Sequence, residues 1–283
     1  MGRSEVSPEP RFEGEYTARQ VEAARRVLVD VGQVLASFGD AIVVVGGWVP
    51  DLLLPDQASA HIGSIDVDLA LDAAKLADGR YAELLKLLLD TGRYEKGDKD
   101  FQLVSSVDLG DGEAPVRVEV EFLASDDVVL RKNHPKLVEG FRVLRFPAFA
   151  AAFASPVSID LSGPMISGAT NTVHLRVASL PDFLVMKAHA IGGRDKPKDV
   201  YDLCYCLDEF PNAIEAVAMD WKARQDDTLI AGAVAILKEK FQSVDHFGPH
   251  QLATFHSGGG STDESEMHAR RAYELVQKLL NLL

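Results

Sequence analysis

The chain has 283 residues, 47% hydrophobic and 25% charged, the balance of a globular protein with room for one large domain or two modest ones. Its 29 Lys and Arg against 43 Asp and Glu give a net charge of −14, which excludes a protein that coats nucleic acid nonspecifically but leaves room for a local basic site. No apolar run reaches the roughly 20 residues of a membrane helix, the amino-terminal MGRSEVSPEPRFEGEYT carries no apolar signal core, and Cys204 and Cys206 suit neither a disulfide framework nor a zinc site. The expectation is a cytoplasmic protein with no membrane partner.

Residues 1–16 read as a loose tail. From Thr17 to Phe38 the apolar positions Val21, Ala24, Leu28, Val31, Leu35 and Phe38 recur at helical spacing, and Thr17 with Gln20 forms a capping box. Ala41–Gly47, β-branched and closed by two glycines, predicts a buried strand, and Trp48–Leu54 a short helix stopped at Pro55. In Ile65–Asp72 the apolar Ile65, Val67, Leu69 and Leu71 alternate with Asp66, Asp68 and Ala70, as in a strand. A helix over Tyr81–Asp90 follows, then strands over Phe101–Val107 and Val116–Leu123. The second of these points Val116, Val118, Val120 and Phe122 inward and Arg117, Glu119 and Glu121 outward. Phe141–Phe146 and Thr172–Val177 are further strands around an Ala/Ser/Gly-rich connection. Beyond Leu180 the pattern turns helical: Pro181–Ile191, Lys198–Leu207, Asn212–Trp221, Asp227–Phe241 and Glu264–Leu283, with Phe247–Ser261 read as a loop. The chain thus divides into a mixed α/β part, residues 17–178, and a helical part, residues 179–283.

Asp66 and Asp68 leave the same strand face, and two carboxylates that close repel each other unless a divalent metal with oxygen ligands lies between them. A neighbouring strand bearing Glu119 and Glu121 would add a third acid for one or two magnesium ions. Gly46 and Gly47, between a strand and a short helix, let backbone amides approach a phosphate. Lys187, Arg194, Lys196 and Lys198 against Asp195 and Asp199 read either as a triphosphate clamp or as a solvated helix end.

The order V-V-G-G-W then H-I-G-S-I-D-V-D-L resembles the nucleotidyltransferase superfamily, whose signature is hG[GS] followed by Dh[DE]h and a third acid on a later strand. K-A-H-A-I-G-G-R-D-K-P-K-D-V-Y-D-L sharpens the resemblance to the AbiEii-type nucleotidyltransferases, the toxin half of abortive-infection toxin–antitoxin systems; it covers residues 40 to 210. The resemblance implies a nucleotidyltransferase-fold mixed sheet flanked by helices, with a helical carboxy-terminal half. It implies Asp66, Asp68 and Glu121 as metal-holding and catalytic acids, with Glu119 the alternative to Glu121. Gly46, Gly47, Ser64, Lys187, Arg194 and Lys198 would hold the nucleotide, and Asp199 would orient Lys187 or act as base. Asp202 and Tyr201 are read as catalytic or as helix packing, and His61 stands where relatives carry an arginine.

The activity so implied moves a nucleoside monophosphate from an NTP, with magnesium, to an acceptor hydroxyl, the 3′ end of tRNA in the toxin reading, with a cognate antitoxin as partner. A small-molecule or protein acceptor is the alternative, and a non-catalytic nucleotide-binding protein a second one. The basic stretch Arg131–Arg145 either tracks an RNA backbone or is a surface hairpin. His246, His250 and His256 have no cysteine beside them and are not read as a metal site.

Overall fold

A computed structural model describes residues 10–55, 59–76, 79–125, 143–258 and 263–283. Helix α1, Ala18–Val34, starts where the capping box predicts, with Thr17 accepting from the Gln20 amide. It stops four residues early, and a 3-10 segment, Ala36–Ala41, carries the chain into β1, Ile42–Val45. A glycine-containing turn leads to α2, Val49–Leu53; then come β2, Asp66–Leu71, and α3, Arg80–Asp90. Strands β3, Glu95–Lys96, β4, Gln102–Val107, and β5, Val116–Ala124, follow, and β6, Leu144–Arg145, lies beside the end of β5. A hairpin, β7 Val157–Pro164 and β8 Thr170–Val177, closes the sheet part.

The strands form one mixed sheet in the order β3-β4-β5-β2-β1-β8-β7. Its centre is β2, antiparallel to β1 and parallel to β5. Alternation gives this centre two unlike faces. Val44, Leu69 and Leu175 look toward Leu28 and Val31 of α1, which covers the sheet. Asp66 and Asp68 therefore leave the opposite face.

The helical part begins at α4, Leu180–Gly193, and continues through α5 Pro197–Glu209, α6 Ala213–Ala223, α7 Thr228–Lys240, α8 Phe247–Ser257 and α9 Asp263–Asn281. A single apolar core runs from α1 through the sheet into these helices. Among the described residues no helix is long and apolar enough to cross a membrane.

Two sequence expectations need correction. Phe247–Ser257 is a helix, not a loop: Pro249 stands in its first turn, where proline is tolerated, Leu252 and Phe255 are buried, and Gly258 ends it in the left-handed region. The Ala/Ser/Gly-rich connection holds strand β7, an edge strand in which only Leu161 is fully buried, so its alternation is faint. Within the segment read as a tail, residues 10–16 meet α8, where the Tyr16 ring lies 6.0 Å from that of Phe255 and Glu13 Oε2 is 2.8 Å from His256 Nδ1, and Arg11 pairs with Asp195 at 3.1 Å. Most of the basic stretch, residues 131–142, lies outside the described residues.

Candidate active site

The acids are brought together by strand register. Parallel pairing of β2 with β5 sets Asp66 opposite Glu119 and Asp68 opposite Glu121, so four carboxylates share one patch of the sheet. Antiparallel pairing with β1 sets Asp68 opposite Val45, the residue before Gly46. Gly46 has φ +70, and a Cβ there would fall 1.8 Å from Asp68 Oδ2. A Cβ on Gly47 would meet Ser64 Oγ at 2.6 Å and Lys198 Nζ at 2.8 Å. Gly46 is thus required by its φ and by what stands against it, while a side chain at Gly47 would have to displace the Ser64 hydroxyl and the Lys198 ammonium. Trp48 is buried and its Nε1 donates to the Asp66 carbonyl at 2.7 Å, which pins the start of β2 to the turn. Ser64 Oγ donates to Asp66 Oδ1 at 2.5 Å.

The two central acids differ in proton affinity. Burial, then the carboxylates of Asp66 and Glu121, push Asp68 well above the usual carboxylate range, against Lys196 and Lys187. Burial acts on Asp66 too, but Lys196, the Ser64 hydroxyl, Lys198 and Lys187 outweigh it and hold Asp66 below that range. On β5, Glu121 Oε1 accepts from Lys99 Nζ at 3.0 Å and from Gln102 Nε2 at 3.3 Å. Gln102 Nε2 also donates to Glu119. Among the described residues, no three His, Cys, Asp or Glu side chains stand in metal-ligating geometry.

Across from the acids, α4 and α5 supply cations. Pro197 opens α5 and puts Lys198, Asp199 and Asp202 in its first turns. Lys187 Nζ lies 2.8 Å from Asp199 Oδ1 and 2.6 Å from Asp202 Oδ2. Arg194 grips Asp199 through Nε at 2.7 Å and Nη2 at 3.0 Å, and Lys198 Nζ meets Asp202 Oδ1 at 2.7 Å. Burial opposes the charge on Asp199, but Lys187 and Arg194 hold it down at about 2. Asp202, buried likewise, lies well below the carboxylate range because of Lys187, Lys198 and His61. Lys187, despite burial, keeps its proton more tightly than usual through Asp199 and Asp202; in Lys198 burial prevails over Asp202 and loosens the proton.

His61 ties the two sides together. Gly63 N–H donates to its Nδ1 at 3.1 Å, so Nε2 carries the proton and donates to Asp202 Oδ1 at 3.0 Å. Its ring stacks on Tyr201 and meets Tyr205 edge-on. Burial lowers His61 to about 4 despite Asp202, with Lys198 and Lys187 reinforcing the effect, so the ring is neutral at physiological pH.

Asp66, Asp68, Glu121, Gly46, Gly47, Ser64 and Lys198 therefore stand in one neighbourhood, and Lys187, Arg194 and Asp199 form one ion-paired group joined to it through Asp202. The centrality of Asp202 is a signal the sequence carried, since Lys198 and Asp202 are one helical turn apart. Lys99 and Gln102, reached only through cross-strand register, are the residues sequence reasoning missed.

Comparison with known proteins gives the family. The family model described as nucleotidyl transferase AbiEii toxin, type IV toxin–antitoxin system, matches residues 63–256. No curated protein matches the chain. Among solved structures, an antigenic nucleotidyltransferase-like protein from Paracoccidioides brasiliensis aligns at 18% identity over 74% of this chain and 92% of that one, with a TM-score of 0.39, a likeness too slight to bear on fold or function. The family match runs from the turn before β2 to the last turn of α8, well over half of the sequence: the chain belongs to the AbiEii family of nucleotidyl transferase toxins of type IV toxin–antitoxin systems.

Proposed function

We propose that this toxin transfers a nucleoside monophosphate from an NTP to the 3′ hydroxyl of tRNA, with magnesium, and so stops translation until its antitoxin intervenes. The observation that carries the reading is the β2–β5 register, which gathers Asp66, Asp68 and Glu121 beside the Gly46–Gly47 turn, opposite the cations of α4 and α5. The donor chemistry suits magnesium: the β2–β5 register sets the carboxylates of Asp66, Asp68 and Glu121 on one patch, and a hard divalent cation takes carboxylate oxygens. Asp66, Asp68 and Glu121 would hold the metal. Bound there, magnesium would neutralise the triphosphate and orient its α-phosphorus.

The chain's own groups do the rest. The acceptor oxygen attacks the α-phosphorus, the bond to the β-phosphate bridging oxygen breaks, pyrophosphate leaves with that electron pair, and the hydroxyl proton passes to the acid set. Ser64 and the Gly46–Gly47 backbone line the triphosphate. Lys198, beside Gly47, and Arg194, half exposed, meet its oxygens. Lys187 and Asp199 are positioning residues: an acid held at about 2 by Lys187 and Arg194 takes no proton near neutrality, so Asp199 serves to aim those cations.

The net charge of −14 favours one other reading, a small-molecule or protein acceptor. The test is incubation with magnesium and each α-labelled NTP in turn, with total tRNA and with tRNA whose 3′ ends have been oxidised by periodate. Label on intact tRNA alone is the expected result. Pyrophosphate released without labelled RNA would overturn the tRNA acceptor and leave the smaller one.

A further inference from the structure

We infer that Lys99 is a built-in counter-cation of the acid patch: it holds Glu121 while the divalent ion is away, gives way when that ion arrives, and thereby sets how tightly the ion is held. The inference rests on the metal-dependent reading above and adds to it a residue outside the family motifs.

Three observations carry it. First, Lys99 Nζ lies 3.0 Å from Glu121 Oε1 and 4.0 Å from Glu119 Oε2, so one ammonium serves both acids of β5 at the edge of the patch. Second, Glu121 Oε1 is also held by Gln102, which is 1% exposed and donates through the same Nε2 to Glu119 and Glu121. Turning that amide over would aim its oxygen at two carboxylates, so Gln102 stays and Lys99 is the partner that can leave. Third, Lys99 sits in the tight β3–β4 turn, where its carbonyl accepts from the Gln102 amide at 3.2 Å and Gly97 N–H donates to the Gln102 carbonyl at 2.8 Å. The backbone is thus held while the side chain, 45% exposed, can swing into water at small cost. The ammonium also stands over the Phe101 ring, 5.6 Å from its centroid.

A divalent ion at Asp66, Asp68 and Glu121 competes with Lys99 for Glu121 and is repelled by its charge. Removing that charge should tighten the metal, the opposite of what loss of a merely structural contact would do. The probe is Mn2+, whose free ion is counted by electron paramagnetic resonance with no nucleotide present. Lys99→Met is expected to lower the Mn2+ Kd about 3- to 10-fold. Lys99→Gln should do the same and replaces it if Lys99→Met fails to fold. Lys99→Arg, which keeps the charge, should stay within about twofold of the wild type. Unchanged or weaker binding in the neutral variants, or equal tightening in Lys99→Arg, would overturn the role of Lys99 while leaving the metal site standing. Wild type with no Asp68-dependent Mn2+ binding would overturn both the inference and the metal on which it rests.

Discussion

The geometry around His61 makes a prediction of definite sign. Its ring is buried, donates to Asp202 and accepts from the Gly63 amide, and burial lowers it to about 4 from an ordinary value of 6.5. An unfolded chain takes up the proton near 6.5 while the folded one resists until about 4, so over that window the unfolded state binds more protons and stability falls as the pH is lowered. The contribution is fully present above pH 6.5. Linkage at 1.36 kcal/mol per unit of pKa gives a loss of about 2 kcal/mol by pH 5 and about 3 kcal/mol by pH 4. The assay is urea unfolding at pH 7.5, 6.5, 5.5 and 4.5 for wild type and for His61→Gln, whose amide can still donate to Asp202 but does not titrate. Wild type should be the more stable at pH 7.5 and should lose its lead as the pH falls. If the two lose stability in parallel, or if wild type gains on acidification because a charged His61 forms an ion pair with Asp202, the reasoning fails.

Three further outcomes follow from the acid patch and its surroundings. Asp68→Asn removes a carboxyl that burial, Asp66 and Glu121 push up, a group whose ionisation costs the fold stability as the pH rises. The variant should be the more stable protein at pH 7.5, lose that advantage in acid, and transfer nucleotide about 1,000-fold more slowly, as read by calorimetry and pyrophosphate release. Gly46→Ala puts a methyl 1.8 Å from Asp68 Oδ2 at φ +70, so urea unfolding should show a loss of about 2 kcal/mol or more; wild-type stability would contradict the close approach. Arg194→Ala leaves Asp199 with Lys187 and should keep the fold while raising KM for the NTP about 10-fold or more; an unchanged KM in steady-state kinetics would remove Arg194 from the nucleotide's neighbours.

What the sequence discloses depends on how far apart the interacting residues lie. Period-two alternation is local, so the shared face of Asp66 and Asp68 and the outward Glu119 and Glu121 are legible in a few residues. Register is not: only the fold shows that Asp68 stands opposite Glu121, or that Lys99, 22 positions earlier, pairs with it. Asp202 shows the same limit. Its helical spacing from Lys198 is visible, but His61, 141 positions away, is what marks it as a junction between the acid strand and the cation helices. Strand β7 hides for another reason, since an edge strand with one well-buried residue has little apolar pattern to show. In α8 the glycine run after Ser257 and the glycine and proline in its first turn mask an apolar face formed by Leu252 and Phe255.

The central claim is that the acids of β2 carry nucleotidyl transfer. It is tested most directly by measuring pyrophosphate released per nucleotide added, in wild type and in Asp68→Asn at matched concentration with magnesium and total tRNA. The account predicts one pyrophosphate per nucleotide from the wild type and release about 1,000-fold slower from the variant. Turnover by Asp68→Asn within about tenfold of wild type would contradict it.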